Sequence, residues 1–369
     1  MCLPDTLVRH FISSRLAFSS RPPKSRQGVQ NNTHEKGDLL THTNQRRTLL
    51  KAGAASAAAF TLPATSQAQL SNWPNKPIRI VVGFAPGGLT DAWARLFAEQ
   101  LQAKYGQPVV VENKPGAGGN IAIENVAKSP ADGYHLLVTT SGAVWQNRVL
   151  YSKLPFNLEK DIVPVLMYPS GPLVVAVSEK VPVKNFKEFI EFARKTPCTM
   201  GSYAPASHPH MLADQLNKKD GTNINTVHYK GEAPMWVDMV GGQTQIAVGS
   251  YQAFANVQAK GVRAIAVTGT YRSPKLPDVL TLLEQGAAGE LGTLSGGLPI
   301  TAPAGVPQEI LQKLSQTALE GWDAPKAKQL RETFAIPDKL LGLEETRKAW
   351  REIAPVWIRI ASELGLKLD

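Results

Sequence analysis

From Lys76 onward the chain repeats one unit: a continuous apolar run, a glycine loop, then an amphipathic helix. Few architectures accept that order. "PIRIVVGF" (77–84) is apolar on consecutive positions, which marks a strand buried on both faces. "TDAWARLFAEQLQAKYG" follows, with Trp93, Leu96, Phe97 and Leu101 spaced for one helical face and Gly106 as its stop. "PVVVEN" is a strand, "KPGAGGN" a loop, "IAIENVAKS" a helix and "YHLLVTT" a third strand. After 170 the pattern resumes. "GPLVVAVSEK" is a strand, "VKNFKEFIEFARKTP" a helix stopped by Pro197, and "HMLADQLNKK" a helix. "NTVHY" is a strand, "MWVDMVGG" a helix, and "TQIAVGS" and "VRAIAVT" are further strands. "PITAPAGVPQEILQKLSQTALEGW" reads as strand, corner and long helix, and 343–366 as helical. Strands alternating with helices predict α/β architecture, with parallel sheets covered on both faces.

The length of 369 residues accommodates two such domains. No Ser/Gly-rich linker separates them, so the chain is expected to cross directly between lobes, near 172–178 and again near 297–302. This makes the first lobe discontinuous, 73–173 plus 300–369, with 174–299 as the second.

The first 68 residues are a different kind of sequence. Arg46-Arg47 precedes Thr48-Leu49-Leu50-Lys51, a small-residue apolar run follows to Ala64, and Ser66-Gln67-Ala68 offers a cleavage site. A charged region, a short apolar region and an A-x-A-like end form an export signal. The apolar run is too short to span a bilayer, and the arginine pair resembles a twin-arginine signal, with a Sec-type signal as the alternative. Residues 1–68 are therefore read as a leader, and the remainder as periplasmic. The leader holds nine Lys/Arg and three Asp/Glu, which leaves 31 basic and 27 acidic residues beyond it, a net +4 out of +10. That near-balance, without a basic stripe, argues against nucleic acid as a partner. Outside the leader Cys198 has no second cysteine to pair with.

Three loops share one design: each follows a strand and opens a helix, where open α/β sheets bind ligands. The first is Phe84-Ala85-Pro86-Gly87-Gly88-Leu89-Thr90-Asp91, the second is Thr139-Thr140-Ser141-Gly142, and the third is Ala204-Pro205-Ala206-Ser207-His208-Pro209. "GFAPGGLT" matches a phosphate loop except that Leu89 stands where the lysine belongs. A triphosphate needs that lysine and Mg²⁺ ligands, whereas a carboxylate needs one charge balanced. Three or four charge-assisted bonds of about 1.5–3 kcal/mol each reach a micromolar site without any lysine. A helix N-terminus supplies such donors. A tight turn with no ligand is the plain alternative.

Other patterns carry less. "PGAGG" (115–119) lacks the third glycine of a dinucleotide loop, and His208-Pro209-His210 has no neighbouring ligands for a metal. No nucleophile elbow, carboxylate pair or base–nucleophile pair is evident. A binding protein rather than an enzyme is expected, with no cofactor.

"WPNKPIRIVVGFAPGGLTDAWARL", "GQPVVVENKPGAGGNIAIENVAKSPADGYHLLVTTSG", "SHPHMLADQL", "HYKGEAPM", "MVGGQTQIAV" and "RAIAVTGTYRSPKLPDV" together resemble the substrate-binding receptors of tripartite tricarboxylate transporters, over about 73–369. The resemblance implies a type II periplasmic-binding fold, two α/β lobes around a cleft, that closes on a small organic carboxylate and delivers it to membrane permease subunits. It implies a monomer. It places Phe84 to Asp91, Ser141 and Gly142 on one side of the cleft, and Ala206, Ser207, His208, Ser250 and Tyr251 on the other. A carboxylate sensor serving another membrane partner, or a two-lobed enzyme, are the competing readings. The chain departs from the family pattern at Leu89, at His208, at Val248-Gly249 where many members have Phe-Asp, and at Gly296-Gly297-Leu298 where many have Ser-Trp-Phe. The expectation is a pocket short of one acidic group and one ring, and a carboxylate ligand without an α-amino group.

Overall fold

The computed structural model describes residues 72–368, apart from 288, 295, 364 and 366. The leader and its export signal lie outside the described residues. The chain first builds β1 (Ile78–Val82), α1 (Leu89–Tyr105), β2 (Val109–Asn113), α2 (Asn120–Ala127), β3 (His135–Val138), two short helices α3 (Ser141–Trp145) and α4 (Asn147–Leu150), and β4 (Ile162–Pro169). It continues with β5 (Val174–Ser178), α5 (Phe186–Lys195), β6 (Cys198–Ser202), α6 (His208–Asp220), β7 (Ile224–His228), α7 (Glu232–Val240), β8 (Ile246–Gly249), α8 (Tyr251–Gln258) and β9 (Val262–Val267). It ends with α9 (Gly289–Thr293), β10 (Gly297–Pro303), α10 (Gln308–Glu320), α11 (Pro325–Phe334), α12 (Leu343–Glu352) and α13 (Ala354–Glu363).

These strands form two five-stranded sheets, ordered β2-β1-β3-β10-β4 and β7-β6-β8-β5-β9. The sheets are mixed, where wholly parallel ones were expected. β10 runs antiparallel to β3 and β4, and β5 runs antiparallel to β8 and β9. The reason is connectivity: each of these strands follows a segment that passes from one sheet to the other, so no helical crossover fixes its direction. The segment from β4 to β5 and the segment from β9 to β10 carry the chain across. β4 was not among the runs picked out above, since Pro164 and Pro169 interrupt its apolar pattern.

The continuous apolar strands are buried on both faces, as their pattern demands. In β5, Val175 and Val177 enter one cluster with Phe186, Phe189 and Leu212, while Val174 and Ala176 enter another with Trp236 and Phe254. In β1, Ile80 and Val82 pack with Trp93, Phe97 and Leu101 of α1. The Trp93 ring stacks on Tyr168 of β4 at 4.5 Å and on Trp322 at 5.5 Å, which fixes α1 over its sheet. α1 ends at Gly106 in the left-handed conformation, φ +68°, where glycine carries no Cβ strain. Rigid sheets therefore hold the loops that leave the carboxyl ends of β1, β3, β6 and β7.

Candidate ligand site

Those loops meet at one cavity of about 90 Å³. At roughly 10–15 Å³ per water, that is room for several waters or for one small organic molecule. Of the residues picked out from the sequence, Phe84, Ala85, Gly88, Leu89, Thr90, Ser141, Gly142, Ser207 and His208 line it. Pro86, Gly87, Asp91, Ala206, Ser250 and Tyr251 do not appear in the lining.

Asp91 has other work. Its carboxylate accepts from the Gly87 N–H at 3.1 Å, Arg95 Nε at 2.9 Å and Asn113 Nδ2 at 3.0 Å. Burial alone would raise its pKa, but the bonds from Arg95, Asn113 and Gly87 outweigh burial and hold it below the ordinary 3.8. With its oxygens engaged, Asp91 shapes the Pro86-Gly87-Gly88 turn. No side chain caps α1, so its first N–H groups stay free beside Gly88, Leu89 and Thr90.

Across the cavity, Ser207 has no proton to offer. Ser202 Oγ donates to the Ala204 carbonyl at 2.6 Å, so the 2.7 Å Ser202–Ser207 contact uses the Ser207 hydrogen. The Ser207 N–H is bonded to Ala204 O. The donor on this side is Tyr203, whose hydroxyl faces the His208 backbone N–H and whose ring lines the cavity. His208 Nε2 bonds to the Leu291 carbonyl at 3.1 Å, which places the proton on Nε2 and leaves Nδ1 without a partner. Burial pushes its pKa down to about 4, partly offset by the Leu291 bond, so the ring is neutral at pH 7. His210 turns elsewhere: its Nδ1 accepts from the Ala206 N–H at 3.0 Å. Ala206 reaches that geometry at φ +61°, outside the usual range for a residue with a Cβ.

Ser141 Oγ accepts from the Gly297 N–H at 3.1 Å, which leaves its own proton for the cavity. This contact explains part of the Gly296-Gly297 departure. A Cβ on Gly296 would stand 3.0 Å from Ser141 Oγ, and one on Gly297 would stand 2.7 Å from Met167. No ring fits there. Rings come instead from Phe84, Tyr203 and Trp357, and an acidic group comes from Glu232. Val248-Gly249 and Gly296-Gly297 themselves bring neither an acid nor a ring to the cavity. Trp357 arrives from α13, some 60 residues past the strand end inspected in the sequence, and Glu232 from the first position of α7. Thr140, from the second loop, lines the cavity too, and Gln146, Ser170, Thr268 and Leu294 join it with no local signal in the sequence.

Two of the lining loops are tied together by backbone. The Ala85 N–H donates to the Lys230 carbonyl at 3.1 Å, joining the β1–α1 loop to the β7–α7 turn. Gly231 beside it has φ +140° and lies so close that a Cβ would stand 3.4 Å from Ala85 Cβ. The charge pattern of the lining is one-sided. Among the described residues it contains no Lys or Arg, and the N-termini of α1 and α7, which carry partial positive charge, border it without a side-chain cap.

Comparison with known proteins agrees with this architecture. The profile described as "Tripartite tricarboxylate transporter family receptor" matches residues 93–340. The "UPF0065 protein in tcbD-tcbE intergenic region" of Pseudomonas sp. (strain P51) is 33% identical, covering 83% of this chain and 87% of its own length. BugT of Bordetella pertussis is 32% identical, over 80% of this chain and 91% of its own. Among solved structures, R. palustris Rpa4515 with adipate superposes with a TM-score of 0.73 at 30% identity, over 80% of this chain and all of that one. MatC of Rhodopseudomonas palustris with bound malate gives 0.69 at 25%, over 79% and 98%. With two mixed α/β sheets, a cavity at the strand ends, and matches that run across most of its length, this chain belongs to the tripartite tricarboxylate transporter receptor family.

Proposed function

We propose that the protein is a periplasmic receptor that captures a small organic carboxylate in the cavity between its lobes and presents it to membrane permease subunits. The observation that carries this reading is the pair of uncapped helix N-termini, those of α1 and α7, that border a cavity with no Lys or Arg among the described residues. Such a lining favours one or two compact negative charges and has nothing to neutralise a polyphosphate. In this reading the anion takes the α1 N–H groups and the hydroxyls of Thr90, Ser141 and Tyr203, while Phe84, Leu89 and Trp357 cover its carbon skeleton. The lobes are 73–173 with 300–369, and 174–299. The leader exports the chain, with the arginine pair directing it to the twin-arginine route. Adipate and malate in two structural relatives support the ligand class.

A thermal-shift screen over mono-, di- and aromatic carboxylates tests the reading. A ligand at 100 times its Kd stabilises the protein by about 2.7 kcal/mol. The receptor reading predicts such a shift for at least one carboxylate. A shift with nucleotides or sugars, and with no carboxylate, contradicts it. Mass spectrometry of the same mixtures separates receptor from enzyme, since a receptor returns its ligand unchanged.

A further inference from the structure

Glu232 is the only carboxyl in the cavity lining among the described residues. Its Oε2 accepts both bonds from Ser250, 3.0 Å from the N–H and 2.5 Å from the hydroxyl, and no donor among the described residues reaches Oε1. The carboxyl is pinned. A Cβ built on Gly249 would stand 3.2 Å from Glu232 Cδ and 3.0 Å from Trp236 Nε1, so β8 and α7 close it in from behind. The residue is half-buried and lines the cavity.

The surrounding groups offer Oε1 no cation. Tyr203, before α6, and His208, at its start, share the cavity, and His208 is neutral. Lys230 precedes Gly231 on the exposed side of the turn, outside the lining. Tyr251 follows Ser250 at the start of α8, and Asp238, farther along α7, accepts from Tyr229. An ionised Glu232 would therefore face a bound carboxylate with nothing between them.

Resting on the carboxylate reading above, we propose that Glu232 is a specificity-determining contact that meets the bound anion as a neutral acid, donating its Oε1 proton, so that capture takes up one proton from solvent. The supporting electrostatics run the same way. Burial raises its pKa above the ordinary 4.5, and the Ser250 bonds, which lower it, do not cancel burial. A ligand carboxylate raises it further. Affinity is then full at low pH and declines as pH climbs from the free to the bound value, by at most about tenfold per pH unit.

Isothermal titration with adipate, or with malate if adipate is silent, is run between about pH 5.5 and 8.5 in phosphate and in Tris. Wild type is compared with Glu232→Gln, which keeps an acceptor for Ser250 and offers an N–H where the acid proton stood. Wild-type affinity is expected to fall at least about fivefold across the range, with buffer-dependent heats reporting about one proton taken up. The variant is expected to bind within about threefold of wild type at the acid end and to lose the pH dependence. A flat wild-type profile overturns the proposal. So does loss of binding in Glu232→Gln at every pH, the signature of a counterion to a ligand amine. In both cases the carboxylate reading stands. Failure of every carboxylate to bind either protein overturns both.

Discussion

His208 shows how much a single position in this cavity depends on its surroundings. From the sequence it is one of two histidines flanking a proline. In the fold its Nε2 is bound to Leu291 O and its ring lies buried, 6.1 Å from Trp357. The native pKa of about 4 lies below the ordinary 6.5, so the unfolded chain binds the extra proton between those values. Stability therefore holds above about pH 6.5 and falls as pH drops toward 4, by up to ~1.4 kcal/mol per pH unit for this residue. His210, also pushed down to about 4, adds to the slope with the same sign. Urea unfolding of His208→Gln, which keeps a donor for Leu291, should show a shallower pH slope in that window. An unchanged slope would mean that His208 is charged in the native state. The role of Glu232 was hidden for a related reason. "KGEAP" reads as a turn, and only tertiary packing against Ser250 and Gly249 places its carboxyl in the cavity.

At the level of elements, what the sequence pattern revealed was strand and helix type. Consecutive apolar residues in β1 and β5 predicted two-sided burial, and both faces are packed. Strand direction was not legible there, because periodicity is blind to whether a strand arrives by a helical crossover or by a passage between sheets. The loops after β1, β3 and β6 were found because a glycine or serine before a helix start is a local signal. The contributions of β10 and α13 were not, since Gly297 and Trp357 reach the cavity through sheet register and helix docking. β10 makes a demanding test. Its Gly297 pairs with Pro169, and a Cβ there would meet Met167 Cγ and Sδ at 2.7 Å and Tyr168 O at 3.1 Å. Gly297→Ala should destabilise by about 1–3 kcal/mol through overpacking, read as a lower urea midpoint at unchanged m-value. Neutral stability would show that Met167 moves aside freely.

Across the whole molecule, the two sheets share one strand plan, and the loops after β1, β3, β6 and β7 meet the amino ends of β5 and β10 at a common space. This is the arrangement that lets a ligand be gripped from both sides. The fold was legible because its repeating unit extends along the described chain. The cavity chemistry was only half legible, because it is assembled from segments up to about 270 residues apart that have no local reason to be read together. The claim that matters most is that a carboxylate sits in this cavity, under the contact between Ala85 and Lys230. Gly231 tests it. Valine at φ +140° is strained, and its side chain would push into Ala85 at the seam. Isothermal titration of adipate, malate and an aromatic carboxylate into wild type and Gly231→Val is the direct measurement. The account predicts one-to-one binding of at least one carboxylate near or below about 1 μM in wild type, weakened at least about tenfold in the variant. Equal affinity in the two proteins, or no carboxylate binding to wild type, would contradict it.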